Sequence, residues 1–183
     1  MSRNALVGAG PEIHRHGRPR ASLRRSNQAT IRIAGCDPDA LLFSFVTDLE
    51  ALGEWNDLVH DVVDVPDRLV HGAVWRVETE QGAMRWVSRS TVIEFDPVRR
   101  RFSHRSGTDD GNPSFTEWSW AVGEDSGTVL TVSWELHPHT RLRRWFLAPY
   151  RSRRLRSAVP TSLQRLADAM ERRMATRTNS TTE

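Results

Sequence analysis

Lysine is absent from this chain, and cysteine occurs once, at Cys36. Without lysine the protein cannot form a lysine Schiff base with a carbonyl substrate. A single cysteine excludes an internal disulfide and a cysteine-cluster metal site, so we expect a protein of a reducing compartment, the cytoplasm. Long apolar runs are also missing, since no segment approaches the ~20 apolar residues of a membrane span.

Charge is distributed unevenly along the 183 residues. The formal net charge is +3, but residues 29–140 carry nine arginines against nineteen acidic residues, and residues 141–183 carry eleven arginines against three. An acidic surface repels polyanions. We therefore expect no nucleic-acid partner, and any contact with a polyanion would have to use the basic ends.

The length predicts one domain with a tail at each end. Residues 1–28 have few apolar anchors and are predicted to form a disordered basic tail, and residues 176–183 to form a frayed C-terminal tail. Within the domain, residues 29–175, a first strand over 29–34 precedes Asp37 as helix N-cap and Pro38 as first helical residue. Apolar residues at three- and four-residue spacing continue this helix to Leu52, and Gly53 is predicted to end it.

Beyond this helix the apolar pattern alternates with a period of two. Six strands are predicted, joined by short turns that favour an antiparallel meander: 58–65, 73–80, 84–95, 99–106, 114–122 and 128–137. The last third is helical, and Pro149 and Pro160 are predicted to mark starts or kinks of two helical pieces. The second piece is predicted to pack on the sheet.

Five short motifs follow one another in this order. They are Ile31-Arg32-Ile33 before Asp37-Pro38, Thr47-Asp48-Leu49-Glu50 before Trp55-Asn56, Gly72-Ala73-Val74-Trp75, Phe95-Asp96-Pro97 with Arg101-Phe102, and Gly127-Thr128-Val129-Leu130-Thr131. With them the chain resembles the START-like helix-grip superfamily (SRPBCC), in particular its polyketide cyclase/dehydrase and lipid-transport branch. The resemblance implies an α+β helix-grip fold, in which a curved antiparallel sheet of about seven strands wraps around a long C-terminal helix and another helix lies between strands 1 and 2.

Strict alternation along the strands gathers apolar residues on one face of the sheet. Trp86 falls on the opposite, polar face unless a bulge shifts the register. The resemblance implies that a ligand lies between the apolar face and the C-terminal helix; the alternative is that the tryptophans only fill the core. The predicted ligand-binding residues are Trp75, Val77, Thr91, Phe102, Trp118, Trp120, Val132 and Trp134 from the strands, with Trp55 and Phe146.

Arg89 and His104 are the two ionisable residues on the predicted apolar face, and both are candidate catalytic residues. A buried charge or imidazole there needs a partner, such as a ligand oxygen. The alternative is that Arg89 reaches the cavity rim and His104 bonds to the backbone. We expect no cofactor, and no metal either, because His137-Pro138-His139 lacks a third ligand.

Three functions remain open from the sequence. The first is binding of a hydrophobic small molecule, aromatic, polyketide-like or lipid. The second is a cofactor-independent polyketide aromatase/cyclase or dehydratase, with Arg89 holding an oxygen and His104 moving a proton. The third is a lipid carrier that docks weakly on an anionic membrane through residues 141–156, where bulky apolar residues and arginines mix; alternatively, Trp145 and Phe146 close the cavity mouth.

Overall fold

This computed structural model describes residues 26–41, 45–56, 58–81 and 84–180. Within them, seven strands form one antiparallel sheet. The strand order in the sheet is β1-β7-β6-β5-β4-β3-β2. Strands β2 to β7 therefore form a meander, and β1 pairs with β7 at its edge. The predicted tail over residues 1–25 lies outside the described residues, while residues 26–28 belong to β1. The strands are β1 Ser26–Ile33, β2 Val59–Asp64, β3 Val74–Gln81, β4 Met84–Asp96, β5 Arg101–Thr108, β6 Phe115–Glu124 and β7 Thr128–His137.

Among the described residues between β1 and β2 are two short α-helices: α1, Pro38–Leu41, and α2, Leu52–Trp55. The predicted N-cap is confirmed, because Asp37 Oδ1 accepts the backbone N–H groups of Asp39 at 2.8 Å and Ala40 at 2.9 Å. The predicted stop at Gly53 is wrong. Gly53 lies inside α2, which ends at Trp55, where the buried indole fixes the chain against the sheet.

The C-terminal third is one continuous helical segment. A π-helical turn, Arg143–Leu147, leads directly into α3, Ala148–Ser180. The predicted start of a second helical piece at Pro160 is wrong, because Pro160 lies within α3 on its exposed side. Proline has no N–H group, so the helix lacks one backbone hydrogen bond at this point. Apolar residues on the opposite side pack the helix against the core before and after Pro160, namely Leu155, Val159, Leu163, Leu166 and Met170.

The hydrophobic core lies between the inner face of the sheet and α3. Strand residues such as Phe102, Leu130 and Val132 are at most 2% exposed, and Leu163 and Leu166 of α3 meet the same core. The predicted helix-grip fold is confirmed. In the described part of the chain, no helix is long and apolar enough to cross a membrane.

Strand β4 contains an irregularity that changes which side chains face the core. Val92 pairs with His104, and Phe95 pairs with Phe102, with a register shift between Val92 and Glu94. One extra residue on a strand reverses the alternation beyond it. The residues of β4 on the inner face before the shift are therefore Trp86, Ser88, Ser90 and Val92, not the set that strict alternation predicts.

Candidate functional site

A cavity of about 460 Å³ lies between the inner face of the sheet and α3. This volume is in the ~300–1,000 Å³ range of sites that hold small organic molecules. The sheet contributes side chains from β2 to β7, and the residues contributed by α3 include Ala158, Val159 and Leu163. Leu52 and Trp55 of α2 also line the cavity.

One wall of the cavity is aromatic. Trp118 stacks on Trp120 with ring centroids 6.5 Å apart, and Trp120 meets Trp55 edge to face at 6.0 Å. Trp75 stacks on Phe102 at 6.2 Å. These are ordinary geometries for aromatic pairs, and they give the cavity a rigid, flat surface.

A second part of the same sheet face, which we call the hydroxyl wall, carries hydroxyl groups. Thr79, Ser88, Ser90, Ser106 and Thr108 all line the cavity from β3, β4 and β5. Ser88 Oγ lies 3.0 Å from Ser106 Oγ and donates to the Gly107 carbonyl at 3.2 Å. The cavity lining is therefore amphipathic, because the same sheet face carries both aromatic rings and hydroxyl groups.

His104 lies where the two walls meet. Its ring centroid is 4.9 Å from that of Trp75, 5.3 Å from Phe102 and 6.4 Å from Trp118. Burial lowers the pKa of His104 from 6.5 to about 3, so the imidazole is neutral at physiological pH. Its Nδ1 is buried and has no hydrogen-bond partner within the described residues.

Three indole N–H groups of the described residues share this property, those of Trp55, Trp120 and Trp134. Nε1 of Trp55 and Nε1 of Trp120 are buried without a partner in the part of the chain that the structure describes. Both residues line the cavity. Unpartnered buried polar atoms are rare in native proteins and call for an explanation, such as a bound molecule. Three such atoms around one cavity are a reason to expect a ligand with polar atoms.

The rim of the cavity is formed by the start of the C-terminal helix. Arg143, Tyr150, Arg151 and Arg154 line it, and the latter three are exposed. Arg143 donates to Ser114 Oγ at 3.4 Å, which ties the π-helical turn to the start of β6. Desolvation by neighbouring atoms lowers the pKa of Arg151, although the residue is also exposed to solvent.

With this geometry established, comparison with known proteins identifies the family. A family model described as polyketide cyclase / dehydrase and lipid transport matches residues 24–171. The chain belongs to this family. No curated protein matches the chain.

Solved structures place this polyketide cyclase/dehydrase family member among proteins of the same fold. A polyketide-cyclase-like protein from Corynebacterium glutamicum shares 24% identity over 82% of this chain and 94% of its own, with a TM-score of 0.55. Protein CV1439 from Chromobacterium violaceum shares 17% over 79% and 95%, with a TM-score of 0.57. The di-domain ARO/CYC StfQ from the steffimycin biosynthetic pathway shares 12% over 82% of this chain and 51% of its own, with a TM-score of 0.65. At these identities the likeness shows the fold alone.

Several predicted site residues of this family member line the cavity together. Seven of the twelve do so, from α2, β3, β5 and β6: Trp55, Trp75, Val77, Phe102, His104, Trp118 and Trp120.

The remaining five do not line it. Arg89 and Thr91 lie on the outer face of β4, where Arg89 is exposed and pairs with Arg76 across the sheet; the bulge in β4 is the reason that their predicted placement is wrong. Val132 and Trp134 are buried in the core beneath the cavity wall. Phe146 is exposed on the π-helical turn.

Sequence reasoning missed the hydroxyl wall of this protein and part of its rim. Ser88, Ser90 and Ser106 carry no apolar signal, so an apolar count along the strands cannot identify them as inward-facing. Trp86 was the available signal, because a tryptophan on a polar face indicates a register shift. Tyr150 and Arg151 reach the cavity because α3 starts over it, which the sequence alone does not indicate.

Proposed function

We propose that this protein binds a hydrophobic, oxygen-bearing aromatic molecule in the cavity between the sheet and α3. The observation that carries the proposal is the set of unpartnered polar atoms on the cavity wall, Nδ1 of His104 and Nε1 of Trp55 and Trp120. Each is positioned to bond a polar atom of a ligand, while the rings around them bury its apolar body.

The two walls favour an aromatic ligand over a simple acyl chain. Flat rings can stack on Trp118 and Trp120, whereas an acyl chain has no polar atoms along its length for the unpartnered groups of Trp55, Trp120 and His104. Leaving a buried polar group without a partner costs roughly 1–3 kcal/mol. A ligand with rings and several oxygens satisfies both walls, and the family's description and the ARO/CYC neighbour support that class.

A matched pair of substitutions on α3 tests this proposal. Ala158 lines the cavity, and the adjacent Ser157 is exposed. Ala158→Trp fills the cavity and is expected to weaken binding of the neutral fluorescent probe N-phenyl-1-naphthylamine about tenfold or more, a change of ~1.4 kcal/mol. Ser157→Trp adds the same side chain outside and should bind the probe like the unchanged protein. Equal affinity in both variants would contradict the cavity as the site.

Cyclisation or dehydration of a polyketide is the second candidate, and the unpartnered imidazole of His104 favours it. In an aldol step, a base removes a proton from a carbon between two carbonyls, and the resulting enolate carbon attacks another carbonyl of the chain to close the ring. The alkoxide formed takes up a proton, and elimination of water then gives the dehydrated product. A base works best when its pKa lies near the operating pH. With a pKa of about 3, His104 is a weak base here, so binding is the first candidate.

The cyclase candidate has its own test. A linear poly-β-keto thioester is incubated with the protein and with His104→Gln, and the cyclised product is measured by chromatography. Turnover that falls at least tenfold in His104→Gln, while the affinity for N-phenyl-1-naphthylamine changes little, supports catalysis. Product formed at the same rate with and without protein rules catalysis out and leaves binding.

A further inference from the structure

The start of the C-terminal helix exposes an unusual group of large apolar side chains. We define the apolar rim as Leu142, Trp145, Phe146, Leu147 and Tyr150, which are 55–74% exposed. The other large apolar residues exposed in the described chain are four scattered valines. Contiguous exposed apolar groups mark interaction surfaces, whereas single ones are ordinary.

The shape of the π-helical turn explains why these side chains protrude. Trp145, Phe146 and Leu147 are consecutive, so they point in three different directions around the helix axis. All three are nevertheless exposed. The turn therefore projects beyond the sheet instead of packing against it.

The apolar rim is surrounded by positive charge. Six arginines lie on the same stretch of helix: Arg141, Arg143, Arg144, Arg151, Arg153 and Arg154. The sequence has no acidic residue between Glu135 and Asp168. Among the described residues, none of the six has a carboxylate within 4.0 Å, whereas Arg76 and Arg100 on the sheet each pair with two.

We propose that the apolar rim and its arginines dock this protein on an anionic lipid bilayer. Tryptophan and tyrosine favour the headgroup level, phenylalanine and leucine enter the acyl boundary, and guanidinium groups bind lipid phosphates. The acidic body, with nine arginines against nineteen acids over residues 29–140, is repelled by the same surface, which sets the orientation.

Docking in this orientation turns the cavity towards the bilayer. Leu147 and Tyr150 belong to the apolar rim and also line the cavity, as do Arg143, Arg151 and Arg154. A hydrophobic molecule could then move between membrane and cavity without crossing bulk water. This last step rests on the proposed binding function, but docking itself depends only on the surface.

Vesicle flotation tests the docking. The whole protein is mixed with vesicles of phosphatidylcholine alone or with added phosphatidylglycerol. We expect binding only to the mixed vesicles and weaker binding at high salt. The double variant Arg144→Ser/Arg153→Ser should bind about thirtyfold more weakly, and Trp145→Ser/Phe146→Ser at least about tenfold more weakly. The controls Val98→Ser and Arg99→Ser, both far from the helix and highly exposed, should bind normally.

The outcomes separate docking from the cavity function. If Ala158→Trp loses the fluorescent probe but still floats with mixed vesicles, docking is supported independently of the cavity. Equal flotation of the wild-type protein and both double variants overturns the proposal. The proposal is also overturned if the wild-type protein does not float but self-associates in sedimentation velocity, and if Trp145→Ser/Phe146→Ser abolishes this self-association. The apolar rim would then be a contact between two copies of the chain.

Discussion

Val92 and Phe95 both pack into the core, although three positions along β4 separate them. In a regular strand such residues point to opposite faces. The register shift between Val92 and Glu94 brings both inward, opposite His104 and Phe102. This irregularity therefore determines which face of β4 lines the cavity, the face with Ser88 and Ser90.

A pair of identical substitutions on neighbouring positions tests the register of β4. Ser88→Leu introduces a bulky side chain into the cavity and removes the bonds to Ser106 and Gly107, so probe affinity should fall about tenfold. Arg89→Leu changes an exposed residue on the outer face and should leave the affinity unchanged. Fluorescence titration with N-phenyl-1-naphthylamine measures both. A larger loss in Arg89→Leu would contradict the observed register.

Trp118→Ala should weaken both binding and stability. Trp118 contacts His104, Trp120 and Trp134, and one side of it faces the cavity. Because the residue is half-buried, we expect a loss of roughly 2 kcal/mol in the free energy of unfolding, less than for a fully buried tryptophan. Urea unfolding gives the stability, and probe titration gives the affinity. A stable variant with unchanged affinity would remove Trp118 from the binding wall.

The low pKa of His104 predicts a pH-dependent stability. The unfolded chain takes up a proton on His104 below about pH 6.5, while the folded protein does not until about pH 3. The contribution of His104 to the free energy of unfolding is fully present above pH 6.5. It is lost as the pH falls towards 3, by up to about 1.4 kcal/mol per pH unit. His104→Phe keeps the ring stacking and cannot titrate.

Urea unfolding at pH 7 and pH 5 measures this effect. The free energy of unfolding should decrease between the two pH values by roughly 1–2 kcal/mol more in the wild-type protein than in His104→Phe. Parallel changes in the two proteins would show that His104 gains a proton in the folded state at pH 5.

Substitution of Pro160 is expected to stabilise the folded protein. Pro160 lies within α3 on the exposed side, where it removes one helical hydrogen bond. Pro160→Ala should therefore raise the free energy of unfolding by roughly 1–2 kcal/mol, after the greater freedom of the unfolded chain is subtracted. Ser157→Ala, exposed one turn earlier, serves as the control and should change it by less than about 0.5 kcal/mol. A destabilised Pro160→Ala would show that packing depends on the bend at this residue.

Much of the fold could be predicted because it depends on local patterns. Alternation placed Trp75, Phe102 and Trp118 on the inner face, and the cap at Asp37 followed from a short polar side chain before a proline. The helix boundaries were harder. Gly53 and Pro160 are breakers by intrinsic preference, but packing of Trp55 and of Leu163 outweighs that preference.

The sequence by itself determined the order of strands along the chain, the aromatic residues of one sheet face and the positive charge near the C-terminus. Each of these is a local property of neighbouring residues in the sequence. Only the tertiary structure decided that Ser88 faces the cavity and Arg89 faces solvent, since a bulge is stabilised by the neighbouring strand. It also decided that His104 lies desolvated among three rings, and that the apolar rim stands at the mouth of the cavity. These features depend on distant segments meeting, and no local pattern specifies such contacts.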